Sequence, residues 1–397
     1  MGTPDTFFIR LKILMVHTMQ IMVLLMPLLC DAAVCSNQEM IFLPDPSLAE
    51  TKKIQDSSTI DYDGPHIFYK GDITILKQVL KSDNSFYVRM DTLAGSFKGR
   101  HITCHVNDTI KFTTTIKKSL KNEPCIYPAP DKLLALSDIE GNFIPFRDLL
   151  IANGVMDKNY QWTFGTGHLV LNGDLFDRGL YVTECLWLIY HLEQEAVKAK
   201  GYVHFILGNH EIMNMNGDVR YVRNKYLQNT FLIKEPYTKW YTPETELGRW
   251  LKTKNVVEKI GKYLFVHGGI SEMLYQQNQS IQNINTTARE YYYAESRALE
   301  SNNPFAGILF SGDYSPFWYR GYANGAMDES VLDKILTHYD VSRMVVGHSI
   351  VDDVTYFYNR KIIDIDTRHA EGDSEGLLID HGKEYKIDLS GNRFPIE

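Results

Sequence analysis

The sequence is poor in the features that mark nucleic-acid-binding and disulfide-rich proteins. Its 397 residues include 41 Lys and Arg against 49 Asp and Glu, which gives a formal net charge of −8. Because it has no long basic run to track a phosphate backbone, nucleic acid is not expected as a partner. Five cysteines without a Cys-x-x-Cys or Cys/His zinc pattern do not make a disulfide framework. Cys104 and Cys125 could still pair in an oxidising compartment.

The N-terminal apolar run, IMVLLMPLLC, is too short to span a bilayer comfortably. It follows Arg10 and Lys12 and precedes two alanines, an order typical of a secretory signal. Residues 1–35 are therefore interpreted as a signal peptide, and the protein is expected to be secreted or periplasmic, in the cell envelope. A buried N-terminal helix is the alternative. Membrane association is expected only through this signal or through a lipid anchor at Cys30 or Cys35.

Two patterns divide the rest of the chain. Residues 59–126 contain short runs such as SFYVRM, HITCHV and IKFTTTI, rich in β-branched and aromatic residues and separated by turn residues. This pattern predicts a small N-terminal all-β domain. In residues 131–397, short apolar runs alternate with helix-period segments such as YVTECLWLIYHLEQEAVKAKG. That alternation predicts an α/β domain.

Five of these apolar runs end in a group of polar residues and glycines. KLLAL leads to SDIEGN, HLVL to NGDLFDRG, VHFIL to GNHE, YLFV to HGG, and RMVV to GHS. A lone Asp or His at a strand end is usually only a turn or capping residue. Loops at the carboxyl ends of neighbouring strands converge, however, so the set of five predicts one site.

In this order, D-x-E-G-N, G-D-x-x-D-R-G, G-N-H-E, H-G-G and G-H resemble the motifs of the calcineurin-like metallophosphoesterases. GDLFDRG and GNHE have the form seen in the phosphoprotein phosphatase branch. SPFWYRGYA and GNHEIMNMNGDVRYV are similar to segments of the bacterial Shewanella-like phosphatases. The resemblance covers Asp131 to about Thr367. It implies a metallophosphoesterase-type αββα sandwich with two divalent metal ions, Mn²⁺ foremost and Fe, Zn or Mg as alternatives.

The matching positions imply a role for each motif residue. Asp174 would bridge the two metals, and His210 would act as general acid, oriented by Asp177. Arg178 is the matching phosphate-binding arginine, and Arg320 is expected to be a second, with Asn209 beside them. For Arg320 the alternative is a surface arginine stacked on Trp318 or Tyr322. The expected metal ligands are Asp138, Glu140, Asp174, Asn209, His267 and His348.

One position departs from the family pattern. The first motif is normally Asp-x-His, whereas this chain has Asp138-Ile139-Glu140. With Asp138, Glu140 and Asp174 the first metal position would be all carboxylate, which favours Mn²⁺ or Mg²⁺ over Zn²⁺. The alternative is that Glu140 points away and that the first metal binds weakly.

The resemblance implies hydrolysis of phosphomonoesters, on phosphoproteins or small phosphoesters, by a metal-bridged hydroxide. A phosphorylated molecule is thus the expected partner. Nucleotide anhydrides or phosphodiesters are alternative substrates, because the same metal pair serves both. A third alternative is a non-catalytic phosphate-binding protein. The presence of His210, Asp177 and Arg178 argues against it, because binding alone needs no general acid.

Overall fold

The structure is a computed structural model. The residues it describes are 60–83, 85–294, 303–310, 312–372 and 374–397. The interpreted signal peptide, residues 1–35, lies outside the described residues. In the part of the chain that is described, none of the helices combines the length and the apolar composition needed to cross a membrane.

The first five strands confirm the expected N-terminal all-β region. Three of them form an antiparallel sheet in the order β1-β2-β3, and the other two form a hairpin. Their ranges are β1 Asp63–Lys70, β2 Ile73–Ser82, β3 Ser85–Ala94, β4 His101–His105 and β5 Lys111–Thr115. The domain boundaries at 59–126 and 131–397 stay predictions.

Two six-stranded sheets form the α/β region. The first has the order β17-β16-β15-β7-β8-β9, and its strands β7, β8 and β9 are parallel. Its ranges are β7 Lys132–Leu136, β8 His168–Asn172, β9 Tyr202–Ile206, β15 Glu375–Asp380, β16 Lys383–Asp388 and β17 Arg393–Phe394.

The second sheet has the order β13-β14-β12-β11-β10-β6, with β11, β12 and β14 parallel. Its ranges are β6 Ile126–Tyr127, β10 Val257–Ile260, β11 Tyr263–Val266, β12 Arg343–Val346, β13 Thr355–Phe357 and β14 Ile362–Asp364. The carboxyl ends of the parallel strands in both sheets are where the motif loops begin.

The helices pack on the two sheets and on the strands of the N-terminal β region. The larger ones are α1 Phe143–Ala152, α2 Val182–Lys198, α4 Asn224–Ile233, α7 Ile281–Tyr291 and α9 Glu329–His338. The shorter ones are α3 Asn209–Asn216, α5 Glu246–Leu251, α6 Glu272–Gln276 and α8 Pro304–Phe310. The N-terminal β region packs on α2, where the indole nitrogen of Trp187 donates to the carbonyl of Pro65 at 2.9 Å.

Alternation along the strands builds an apolar layer on each face of the sheets. Ala135 and Val170 of the first sheet pack with Phe265 and Val345 of the second in the layer between the sheets. The intervening Leu134 and its equivalents face the helices. Because successive side chains of a strand point to opposite faces, a wholly apolar strand such as KLLAL suits a sheet buried on both sides. The αββα sandwich is thus confirmed.

The described cysteines Cys104, Cys125 and Cys185 are buried and free. A pairing of Cys104 with Cys125 is therefore not formed. Each thiol has its own buried surroundings: Cys104 donates to the carbonyl of Gly64, and Cys125 to the side chain of Gln282.

Candidate active site

Three of the predicted metal ligands come together from different loops. Asp174 follows β8, His267 follows β11 and His348 follows β12. One ligand atom from each lies within 4.8 Å of the others, and all three residues are buried. Oδ2 of Asp174 is 3.1 Å from Nε2 of His267. The first and last of these residues, Asp174 and His348, are 174 positions apart in the sequence. The structure brings them together at the carboxyl ends of strands from both sheets.

Asn209, at the start of α3, completes this cluster. Its terminal oxygen position lies 3.0 Å from Nε2 of His267, 2.9 Å from Nδ1 of His348 and 3.2 Å from Oδ2 of Asp174. These three neighbouring atoms can all accept hydrogen bonds. The Asn209 amide must therefore either turn its nitrogen towards them or, with its oxygen in this position, bind a cation together with them. One carboxylate, one amide and two imidazoles are ligands that suit a divalent transition metal. We call these four residues the second metal position.

The surroundings fix the ligand atoms in place. Nδ1 of His267 donates to the carbonyl of Asn172 at 2.8 Å, which leaves Nε2 free to bind a metal. Burial opposes protonation of His267, but the charges of Asp174 and Asp138 raise its pKa to about 10. The carboxylates therefore favour a positive charge here. A Cβ at Gly208 would lie 2.2 Å from Oδ1 of Asp174, so only glycine allows this approach.

We call the predicted ligands Asp138, Glu140 and Asp174 the first metal position. The charges of Asp138 and Glu140 interact with that of Asp174, but in the described structure these two carboxylates are not part of the cluster whose ligand atoms lie within 4.8 Å of one another. Burial raises the pKa of Asp138, and the neighbouring Asp174 adds to the effect. Burial likewise raises the pKa of Glu140 to about 8 despite the nearby Arg178. Three buried carboxylates are stabilised in their ionised form by a bound cation, so these residues also fit a metal. The side chain of Glu140 is meanwhile ion-paired with the guanidinium of Arg178.

His210 lies beside the metal positions with a carboxylate behind it. Its Nδ1 is 2.6 Å from Oδ2 of Asp177, and its Nε2 is 3.9 Å from Oδ2 of Asp174. Asn214 donates to the same Asp177 oxygen at 3.0 Å. Burial opposes protonation of His210, but the charges of Asp174 and Asp177 raise its pKa to about 9. A protonated imidazole held in this way can donate a proton to a leaving group.

The two predicted phosphate-binding arginines lie on different sides of this cluster. NH2 of Arg178 is 3.4 Å from Nε2 of His210. NH1 of Arg320 donates to the carbonyl of His348 at 2.5 Å and lies 3.3 Å from the hydroxyl of Ser349. Both guanidiniums thus adjoin residues of the metal positions, as binding to a metal-held phosphate would require.

Comparison with known proteins decides the family. Residues 131–352 match the calcineurin-like phosphoesterase family (Metallophos), which is more than half of the chain. The chain belongs to this family. The family uses a dinuclear metal centre, which agrees with the cluster described above.

Two relatives of this phosphoesterase carry the names of protein phosphatases. It is 27% identical over 299 residues to Shewanella-like protein phosphatase 2 of Arabidopsis thaliana, covering 63% of this chain and 74% of that protein. It is 28% identical over 228 residues to Shewanella-like protein phosphatase 1 of Plasmodium berghei, covering 55% and 61%. The Shewanella-like resemblance is thus confirmed.

A solved structure extends this likeness. The crystal structure of a cold-active protein-tyrosine phosphatase from a psychrophilic Shewanella species superposes with a TM-score of 0.77 at 31% identity, covering 85% of this chain and all of that chain. Together with the family match, these relatives show that the chain is a phosphatase, a hydrolase of phosphoesters.

The phosphoesterase site is strained along its backbone. A left-handed conformation is costly for residues other than glycine, and such residues cluster where a structure holds side chains for function. Six of the predicted site residues adopt it, with φ between 48° and 68°: Asp138, Glu140, Asp174, Asp177, Arg178 and His348.

Glu211 has a role that the sequence did not reveal. It is fully buried next to the site, and its carboxylate accepts the backbone N–H groups of Gly208, Asp174 and Leu175 at 2.6, 2.9 and 2.7 Å. It thereby joins the loop after β9 to the loop after β8. The motif GNHE contained this residue, but only the fold shows what its side chain binds.

Asp364 and Asp366 are further buried carboxylates near the metal positions. Asp364 is the last residue of β14, and Asp366 follows two residues later, in the sequence segment KIIDID. Burial raises the pKa of Asp366, and the charge of Asp138 adds to it. Oδ2 of Asp364 is buried without a partner in the described structure. The signal was available: like the five motif strands, this apolar run ends in polar residues.

Proposed function

We propose that this phosphatase hydrolyses phosphomonoesters on phosphorylated protein side chains and that two divalent metal ions, Mn²⁺ foremost, are its cofactor. The observation that carries the proposal is the convergence of Asp174, Asn209, His267 and His348 on one point beside the pair of His210 and Asp177. Two relatives are named protein phosphatases and a similar solved structure is a protein-tyrosine phosphatase, which supports the substrate class.

In this proposal the site residues have three functions: they bind the metals, bind the phosphate and transfer a proton. Bound metals supply positive charge to the phosphate and activate the attacking water. The forked guanidiniums of Arg178 and Arg320 fit pairs of phosphate oxygens and orient the phosphorus for attack. Nε2 of His210 donates its proton to the leaving oxygen, and Asp177 keeps the imidazole in the required orientation. Esters benefit more than phosphoanhydrides, because a leaving alkoxide or phenoxide needs the proton and a leaving phosphate does not.

The experiment compares three substrate types with the full chain. An aryl phosphate, its diester and a dinucleotide polyphosphate are assayed with and without added Mn²⁺, followed by phosphotyrosine and phosphoserine peptides. We expect metal-dependent turnover that is fastest for the monoester and the peptides. Faster hydrolysis of the diester or the polyphosphate would favour the alternative substrates, and turnover in chelator equal to that with Mn²⁺ would contradict the proposal.

Two variants connect this activity to the site. Asp174→Asn should abolish turnover and lower the bound metal from about two ions towards one or none, because Asp174 adjoins both metal positions. Asp218→Asn is the matched control, since Asp218 is paired with Arg220 on an exposed loop. Metal content is measured by elemental analysis. Full metal content with full turnover in Asp174→Asn would show that this site does not act as proposed.

A further inference from the structure

The ion pair between Glu140 and Arg178 connects a predicted metal ligand with a predicted phosphate-binding residue. Oε1 of Glu140 contacts NH1 of Arg178. The side chain of Glu140 is 9% exposed, whereas that of Arg178 is 42% exposed. The residue at a predicted metal-binding position is thus bound to the residue at a predicted phosphate-binding position.

The backbones that carry these two side chains are held firmly together. The backbone N–H of Glu140 donates to the carbonyl of Asp174 at 2.9 Å, and that of Gly141 to the carbonyl of Leu175 at 2.9 Å. A Cβ at Gly179 would lie 2.2 Å from the carbonyl oxygen of Glu140, so the two loops are in direct contact there. Any change of partner by Glu140 is therefore a rotation of its side chain and needs no movement of the loops.

The charges around Glu140 make its choice of partner depend on the metal. Arg178 stabilises the Glu140 carboxylate, while Asp138 and Asp174 repel it. A divalent cation between those aspartates would reverse the repulsion and attract Glu140 to the metal. A guanidinium bound to a carboxylate has fewer N–H groups to offer to phosphate.

Arg178 also has neighbours in the site other than Glu140. Its Cζ atom lies 5.8 Å from the centroid of the Tyr221 ring, and NH2 is 3.4 Å from Nε2 of His210. The imidazole belongs to the proposed general acid, and when it is protonated it repels the guanidinium. Release from Glu140 therefore leaves the Tyr221 ring as the neighbour that stabilises the guanidinium in the site.

We propose that Glu140 is a positioning residue shared between Arg178 and the first metal position. It holds the guanidinium when the metal is absent and releases it for phosphate when the metal is bound. The inference rests on the proposed function, because it takes the metal and phosphate positions from it. Because such coupling is reciprocal, a metal that draws Glu140 away from Arg178 must in turn be opposed by Arg178. Arg178 therefore competes with the metal for Glu140 and lowers the metal affinity of the first metal position, although it is not a metal ligand.

The test is a double-mutant cycle read out by metal affinity. The full chain is stripped of metal, and Mn²⁺ binding is measured by calorimetry for the native protein, Arg178→Gln, Glu140→Gln and the double variant. We expect Arg178→Gln to raise the Mn²⁺ affinity of the first position about fivefold or more, the usual lower range of such couplings. In the Glu140→Gln background the same substitution should change the affinity by less than about twofold.

Two controls separate the contact from simple charge. Arg320→Gln removes a positive charge from an arginine that contacts His348 and Ser349, so it shows how far Mn²⁺ affinity changes when a nearby arginine that does not contact Glu140 is lost. Arg178→Lys keeps the charge without the fork and should raise Mn²⁺ affinity by an intermediate factor. Melting temperatures check that each variant is folded, and the Lys variant keeps the test decisive if Arg178→Gln fails to fold.

The contrary result is equally clear. Equal effects of Arg178→Gln in both backgrounds, or an Arg178→Lys affinity identical to the native one, would show that Arg178 acts only through its charge and would overturn the proposal. Failure of the proposed function is distinguishable, because it would appear as absent turnover of aryl phosphate by the metal-loaded native protein. The affinity cycle uses no turnover and would retain its meaning.

Discussion

Nδ1 of His210 lies 2.6 Å from Oδ2 of Asp177, and this hydrogen bond determines which ring nitrogen faces the substrate. Because Nδ1 donates to the carboxylate, Nε2 is directed towards Asp174 and Arg178. The pair resembles the way in which a buried acid orients a histidine in other hydrolytic sites. It makes His210 a group that can give a proton without binding a metal.

Replacing His210 should therefore impair the release of poor leaving groups most. We expect His210→Ala to lower kcat for phenyl phosphate by about 10²–10⁴, the usual contribution of a general acid, while both metals stay bound. The loss should be smaller for a p-nitrophenyl ester, whose leaving group needs no proton. The measurements are kcat for both esters and the metal content. Loss of metal in this variant would mean that His210 is a ligand.

Metal preference should follow the chemistry of residue 140. We expect Glu140→His to keep the fold and to shift the preferred metal from Mn²⁺ towards Zn²⁺ or iron, because imidazole nitrogen is a softer ligand than carboxylate oxygen. Stripped protein is reloaded with each ion, and affinity and rate are compared with those of the native chain. Unchanged preference would argue that Glu140 does not reach the metal.

The carboxylate of Glu211 should be a strong contributor to local stability. In Glu211→Gln one oxygen is replaced by an NH₂ group that faces backbone N–H donors, which leaves about two buried donors without partners. We expect a loss of about 2–4 kcal/mol in the free energy of unfolding. Denaturant unfolding measures it, with the exposed Glu272→Gln as control. A change as small as that of the control would show that water replaces the lost hydrogen bonds.

Ionisation of Glu184 should lower the free energy of unfolding as the pH rises. Glu184 is buried on α2, and in the described structure neither of its carboxylate oxygens has a hydrogen-bond partner. Burial raises its pKa from 4.5 to about 8, although Lys225 opposes the shift. Between these values the folded chain keeps a proton that the unfolded chain has lost. This contribution is therefore complete below about pH 4.5 and is lost as pH rises through 8.

The corresponding test compares Glu184→Gln with the native chain at pH 5.5 and 7.5. For each pH unit in this window, the free energy of unfolding of the native chain should fall by up to about 1.4 kcal/mol more than that of the variant. Denaturant unfolding at both pH values gives the difference in slope. Glu290→Gln, at an exposed position, controls for a change in net charge. Parallel pH dependences of native and Glu184→Gln protein would contradict the prediction.

The sequence was sufficient for the parts of the fold that short patterns determine. The five strand ends and α2 lie where the apolar runs and the helical period predicted them, because each depends on side chains close together in the chain. The motif residues adjoin one another because all of them follow parallel strands.

Contacts between loops were beyond the reach of the sequence. The ion pair of Glu140 and Arg178 and the backbone hydrogen bonds of Glu211 depend on how the loops after β7, β8 and β9 meet. KIIDID satisfies a strand pattern and does not by itself indicate a site residue, and the closeness of Asp366 to the charge of Asp138 comes from the place of β14 beside β12. The roles of the metal and phosphate residues stay predictions that the experiments above test.

The hydrogen bond from the backbone of His348 to Oδ2 of Asp138 has a consequence for biosynthesis. At 3.2 Å it joins residues 210 positions apart, one from each sheet. Contacts at such sequence separation form late, after the costly closure of a long loop. A growing chain therefore cannot assemble the metal positions until β12 has been synthesised and docked, so that a truncated or partly translated chain is kept from hydrolysing phosphoesters.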